Sequence, residues 1–331
     1  MISLRDLIKL FLSLALTAFF LWSAFHSVDL GEVWRILLDT EIVWLLATVA
    51  AVILATYPRA LRWRILMAPV LPNVPLGRLL HSILIGYAGN NLVPRAGEIA
   101  KIWSIDRSPR TMSGLVATVA VERLIDVIVL LAMFGWVTIL IRDRLAEVFP
   151  WMDGMMSTAT ILIGFLAAGL LVLSIIGDRI LNWLERSTGH PLVKRLLDVA
   201  RSFLLGIEAV RSPQAYLGIT FWTIILNIAY LLAMYFPFYA FGFPSRYGLD
   251  FTDAIIVLTI ATLGIVIPTP GGAGTYHYFC SRALTGLYGI PLEESVAFAT
   301  VVHGIIYVAF LALGGPGLIT LVWKRRPQEP A

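Results

Sequence analysis

The sequence predicts an all-α polytopic membrane protein with about six full transmembrane helices and two oppositely facing re-entrant helical hairpins, arranged as an inverted repeat. Three observations predict it. The 331 residues are 59% apolar and only 14% charged, where soluble domains average about 45–50% and about 25%; the mean hydropathy is +0.84. The apolar residues gather in runs, several of them near the ~20 residues of helix that cross a bilayer. The Lys and Arg between these runs alternate with acidic loops, the pattern that orients a multi-pass chain. Soluble enzymes and nucleic-acid binders are excluded, and the net charge of +4 reads as topology. A single cysteine, Cys280, excludes an internal disulfide and a cysteine zinc site.

The run Leu7 to Val28 is too long for a signal-peptide core and lacks a small-residue cleavage site, so it reads as an uncleaved first span. Ile42–Tyr57 is a second, expected to close at Pro58 and the basic run Arg59, Arg62, Arg64. Leu79–Val93 reaches only about 22 Å as a helix and ends in Asn90-Asn91-Leu92-Val93-Pro94, too short to cross comfortably. Residues 114–141 and 156–177 make a third and a fourth span. Residues 178–213 turn amphipathic, with six cations among apolar residues, and suit the cytoplasmic surface of an anionic membrane. Residues 215–241 form a fifth span. Asp253–Pro268 is again short, and the last span runs from about Ala297 to Trp323 before Lys324-Arg325-Arg326.

Loop 58–78 carries four Arg and no acid, whereas loop 29–41 holds Asp29, Glu32, Asp39 and Glu41 against one Arg. The positive-inside rule then makes both termini, loop 58–78 and segment 178–213 cytoplasmic. That assignment is consistent only if each short segment, with the apolar stretch after it, enters and leaves on one side. The chain is thus one integral membrane domain over 1–331, with halves 1–177 and 214–331 joined by 178–213. The halves echo each other: Val93-Pro94-Arg95-Ala96-Gly97-Glu98 precedes a span with Ala117-Thr118-Val119, and Ile267-Pro268-Thr269-Pro270-Gly271-Gly272 precedes one with Ala299-Thr300-Val301. Inverted repeats place substrate at broken helices near the midplane.

Three constellations carry chemistry. Only fifteen residues separate Asp126 from Arg142, so Glu122, Arg123 and Asp126 are drawn into the membrane. There charges are costly and face a cavity or a partner. Glu122 and Asp126 share a helix face, and Arg123 reaches Asp126 at i,i+3. This cluster is a head-group or proton site, or else a structural clamp. The second is Asn90-Asn91-x-x-Pro94-Arg95-x-Gly97-Glu98-x-x-Lys101. Here Gly97 is expected to relax the turn, Asn91 lies at the break, and Arg95 and Lys101 suit a lipid phosphate at a helix N-terminus. Glu98 offsets the macrodipole, and a capped interfacial turn is the plainer alternative. The third is Pro268 to His277, where Thr269, Gly271, Gly272, Tyr276 and His277 surround a Pro-Gly turn, with His303 on the last span. His277 is the group best placed there to titrate near neutral pH, although an isolated histidine is more often a satisfied core residue. Asp250-x-x-Asp253 reads as a helix cap. No metal-ligand spacing, phosphate loop or nucleophile elbow is present, so no catalytic residue, metal or cofactor is expected.

The run from Gly86 to Glu98, then Ala117-Thr118-x-x-x-Glu122-Arg123-x-x-Asp126, then Pro268-x-Pro270-Gly271-Gly272-x-Gly274, resembles the lysylphosphatidylglycerol synthase transmembrane-domain family, also described as flippase-like. The resemblance extends from about residue 5 to 323. It implies movement of a phospholipid or polyprenyl-linked lipid between leaflets, with two re-entrant hairpins at the centre. Arg95, Glu98, Glu122, Arg123, Asp126 and the turn 268–274 match the family pattern. The aminoacyl-transferase domain of the eponymous enzymes is not in this sequence, so lysine transfer is not carried over. Many members also place a Glu shortly after the Gly-Gly turn, where this chain has His277. The expected protein is therefore a multi-pass lipid transporter of the plasma (inner) membrane and not an enzyme. Its partner is a membrane lipid with an anionic head group, and not nucleic acid. An intramembrane lipid-modifying transferase and a non-catalytic subunit of such an enzyme are the alternatives.

Overall fold

In the computed structural model, residues 4–150 and 213–323 are described continuously, with 176–186 and separate residues within 161–204; side chains are described from Phe11 onward, except at 109, 110 and 213. The described residues form helices and no strand. Helix α1 (Leu4–Phe25) turns by 82° into α2 (Leu30–Leu38), whose start is fixed by Asp29 accepting from the Gly31 and Glu32 N–H groups. Then follow α3 (Ile42–Met67), α4 (Leu76–Leu92), α5 (Ala96–Ile105) and α6 (Pro109–Val148), the last leaving helical geometry at Ile141. The second half comprises α7 (Pro213–Ala240), the short α8 (Phe243–Tyr247), α9 (Phe251–Val266), α10 (Thr275–Tyr288) and α11 (Leu292–Trp323). Asp250 and Asp253 close a capping box on α9, as their spacing predicts.

Among the described residues, α3, α6, α7 and α11 are long and apolar enough to cross a membrane, and the bent pair α1–α2 makes a further candidate. Their outer faces expose Phe11, Ile139, Leu217 and Ile319, which suits a hydrocarbon solvent. The expected span at 156–177 lies largely outside the described residues, as do much of 178–213 and the basic tail 324–326. Within the connector, 176–186 is helical, Leu181, Leu197 and Leu204 form a small apolar cluster, and Arg201 pairs with Glu185.

The boundary furthest from expectation is the end of the second span. The second span does not close at Pro58: α3 continues to Met67, with Arg59 and Arg62 buried in it instead of lying in a basic loop. A proline removes one intrahelical bond, a loss that packed membrane helices tolerate. Here both arginines find carboxylates on α6, described below. The loop's positive charge is thereby reduced to Arg64 and Arg78, both exposed.

The two short-helix pairs are hairpins with bases at opposite ends of α6. Arg78, at the start of α4, donates to the Ile105 carbonyl at the end of α5 at 2.5 Å, closing the first base where α6 begins. The second base lies by the other end of α6: a Cβ on Gly286 of α10 would fall 2.7 Å from Val148, and Arg144 stands over the Tyr288 ring. At the first tip, Asn90 Oδ1 accepts the Gly97 N–H at 2.9 Å. The residue with positive φ at this turn is Arg95 (63°), not Gly97. Gly97 serves instead for close approach, since a Cβ there would lie 1.8 Å from the Gly86 carbonyl oxygen. Each half thus runs long helix, short helix, break, short helix, long helix, with α8 the added turn. Helices α3 and α7 pack together.

Candidate functional site

Helix periodicity brings Arg59 and Arg62 of α3 onto one face, and Glu122 and Asp126 of α6 onto the face opposite. Arg59 Nη1 donates to Glu122 Oε1 at 2.9 Å, and its Nη2 donates to Tyr230 Oη at 3.1 Å with Asp126 Oδ2 at 3.4 Å. Arg62 Nη2 donates to Asp126 Oδ1 at 2.6 Å, and its Nη1 reaches Thr223 Oγ1 at 3.3 Å. From α5, Lys101 Nζ donates to Glu122 Oε2 at 2.5 Å and sits 3.9 Å from the Trp63 ring centroid. Arg123 bridges Glu98 (2.9 Å) and Asp126 (3.4 Å). Glu122 and Arg62 are 0% exposed.

Arg59, Arg62, Lys101 and Arg123 are four cations against three acids, Glu98, Glu122 and Asp126. The network therefore carries one excess positive charge. At its edge the Glu98 side chain is 23% exposed, and those of Arg123 and Asp126 are 43% and 24% exposed. Arg123 and Asp126, with Arg59, Tyr87 and Tyr230, form one end of a cavity of about 350 Å³. Leu130, Met133, Leu226, Ile306 and Phe310 wall the remainder, and Leu258 and Tyr276 bring the second hairpin to its rim. Lys101 and Glu122 stand behind this surface, closed off from the cavity. The Tyr87 and Tyr230 hydroxyls lie 3.1 Å apart.

The second tip is built without charge. Thr269 and Thr275 hydroxyls are 3.1 Å apart, Thr275 donates to the Gly272 carbonyl, and His277 Nδ1 accepts the Gly274 N–H at 3.3 Å. His303 Nε2 is 2.9 Å from the Gly271 carbonyl oxygen, so that nitrogen carries a proton. Tyr276 stacks on His303, and the His277 and His303 ring centroids are 5.1 Å apart. Ser13 of α1 donates to the Pro268 carbonyl at 3.0 Å. Gly274, at φ 84°, lies where a Cβ would meet the Thr17 carbonyl at 2.7 Å. The two tips meet at α11: Asn91 Nδ2 donates to the Tyr307 carbonyl (3.1 Å) and Tyr307 Oη donates to the Asn91 carbonyl (2.8 Å), while a Cβ on Gly271 would touch the Tyr307 ring.

Of the residues singled out in the sequence, Glu98, Lys101, Glu122, Arg123 and Asp126 thus join one network. Asn91, Thr269, Gly271, Gly272, Tyr276, His277 and His303 gather where the tips meet. Arg95 stands apart, exposed and forming no hydrogen bond or ion pair among the described residues. Arg59, Arg62, Tyr87 and Tyr230 were not legible as site residues. The i,i+3 spacing of the two arginines, and the demand of two intramembrane carboxylates for cations, are the signals that would have found the first pair.

A polytopic α-helical membrane protein with a buried ion network beside an amphipathic cavity is the class these features define. Its sequence matches the family described as the lysylphosphatidylglycerol synthase TM region over residues 10–314, and the chain belongs to that family. Membership gives it a role connected with membrane lipid. Comparison with curated proteins and with solved structures returns no significant match.

Proposed function

We propose that this protein moves a phosphate-bearing lipid, a phospholipid or a polyprenyl-linked lipid, between the leaflets of the plasma (inner) membrane, and that it does so as a transporter and not as an enzyme. The observation that carries the reading is the cavity, where a net-positive end adjoins an apolar wall between the two hairpins. An anionic head group is matched by Arg59 and Arg123, with the tyrosine hydroxyls as further donors, while acyl or polyprenyl chain lies along Leu130, Met133 and Phe310. Asp126 and Glu98 hold Arg123 in place. In this reading the hairpins are re-entrant, entering from opposite faces as halves of an inverted repeat, and both termini are cytoplasmic. The bases at opposite ends of α6 support that arrangement. Alternate access then comes from movement of the second tip against the first, where the two meet at Tyr307.

Head-group translocation in liposomes reconstituted with purified protein tests the proposal. Arg123→Ala and Asp126→Asn are expected to slow it at least tenfold; unchanged rates in both would remove the site. Turnover of lipid into a chemically altered product by the purified chain would replace transport with the transferase reading.

A further inference from the structure

At the base of the first hairpin, on the side of the molecule away from the acidic loop 29–41, a second pocket of about 350 Å³ opens between α4, α5 and α11. Arg78, His81 and Arg107 line it, with Ile85 and Leu321 as apolar wall. None of the three basic side chains has an acidic partner within ion-pair distance among the described residues. Arg78 spends one nitrogen on the Ile105 carbonyl, and Arg107 makes long bonds of 3.3 Å to the Trp103 and Leu321 carbonyls. Among the described residues, Arg78 Nε and Nη1 and Arg107 Nη1 have no acceptor. The acid in the pocket, Asp106, is hydrogen-bonded into the turn before α6: it accepts from the Thr111 hydroxyl (2.6 Å) and the Ser108 N–H (2.9 Å), bonds that, with the nearby Arg78 charge, hold its carboxyl below the usual range. Two guanidinium groups against one carboxylate leave the pocket net positive even with His81 neutral. His81 lies against α11 where Gly317 has no side chain, since a Cβ there would meet its ring at 2.7 Å.

We infer that this pocket is a second lipid site, holding a phospholipid with a net-anionic head group that ties the base of the first hairpin to α11. Its phosphate would take the free donors of Arg78 (α4) and Arg107 (between α5 and α6), and its chains would follow Ile85 and Leu321 along the outer face of α11. Basic pockets between membrane helices on the positive side recognise lipid head groups in this way. The site is separate from the central cavity: none of its lining residues lines that cavity. Bound lipid would brace the hairpin at its base, adding to the Arg78–Ile105 bond and to the apolar cluster that holds Leu79 and Ile105.

Native mass spectrometry of the full chain in mixed micelles, with phosphatidylglycerol and phosphatidylcholine of matched acyl chains, tests it. Arg107→Gln should weaken retention of phosphatidylglycerol by about fivefold, with phosphatidylcholine unaffected. Arg107→Lys, which keeps the charge, should restore retention and shows that the fold is intact. Arg64→Gln, an exposed arginine on the same side but outside the pocket, should change nothing. The Arg107 effect should persist in the Arg123→Ala background, separating this site from the transport cavity. Retention unchanged by Arg107→Gln, or reduced equally by Arg64→Gln, would overturn the inference. Equal thermal stabilisation by inorganic phosphate alone would overturn its assignment to lipid.

Discussion

The first hairpin is tied to its neighbours by charge and the second by neutral hydrogen bonds and close backbone contact, although both tips touch the same residue, Tyr307. Lys101 and Glu98 anchor α5 to α6 through Glu122 and Arg123. The second tip relies on Thr269, Thr275, His277 and His303, with Ser13 holding it to α1. The second half does contain an ion pair, Arg246 with Glu294, joined by the Tyr247 hydroxyl at 2.7 Å, but it lies where α11 begins and Arg246 is largely exposed. Charge placed at the middle of a span is costly and is retained where it is paired or serves a ligand. The neutral tip can part from its neighbours without stranding a charge in the membrane, whereas the first hairpin cannot. The difference assigns the first hairpin to the fixed frame and the second to the moving part of the proposed cycle.

The sharpest way to break this contrast is Glu122→Gln. It leaves Lys101 without its paired carboxylate and Arg59 and Arg62 with Asp126 alone, which Arg123 also contacts, and removal of one partner from a buried pair costs about 3–5 kcal/mol. Thermal and denaturant unfolding in detergent should show that loss. Adding Lys101→Met should recover part of it, since the orphaned ammonium goes as well. A Glu122→Gln protein as stable as wild type would mean that the first hairpin is not held by charge. His277→Gln is the matched change at the second tip. It keeps an acceptor for the Gly274 N–H and should fall well below the Glu122 effect.

The next effect is steric. Gly97→Ala forces a methyl against the Gly86 carbonyl at 1.8 Å, and overpacking of this kind costs about 1–3 kcal/mol. Because the contact is backbone to side chain within one hairpin, the strain should open α4 from α5. Cysteine cross-linking between the two helices would fall if so. Unchanged stability and cross-linking would show that the first hairpin is as pliable as the second is proposed to be.

These effects also mark what the sequence could show. Apolar run length located the long helices and both hairpins, and the Glu122-Arg123-x-x-Asp126 pattern located the acidic side of the network, because charges so far inside a span have few structural explanations. The basic side was hidden: Arg59 and Arg62 follow a proline at what looks like a span's end, and arginines there are the ordinary mark of a cytoplasmic loop. Their i,i+3 spacing is the one local hint of a helix continuing through Pro58, and the carboxylates they pair with lie about sixty residues later in the chain. Tyr87 and Tyr230 were hidden for another reason. A neutral aromatic in an apolar run leaves no pattern, and its hydroxyl gains meaning only from its neighbours in space. The meeting of the tips at Tyr307 is a tertiary fact of the same kind.

The smallest expected effect addresses that meeting directly. Tyr307→Phe removes the hydroxyl that donates to the Asn91 carbonyl at 2.8 Å and leaves the ring against Gly271 in place. One neutral hydrogen bond contributes about 0.5–1.5 kcal/mol, so global stability should barely move. Its local consequence depends on how the two tips are coupled. If the second tip is the mobile one, backbone hydrogen exchange should rise at residues 267–275 and stay unchanged at 89–97, because Asn90 still closes the first tip onto Gly97 and the ion network still holds α5. Faster exchange at both tips together would make them a single gate. Faster exchange at the first tip alone would reverse the assignment of frame and moving part.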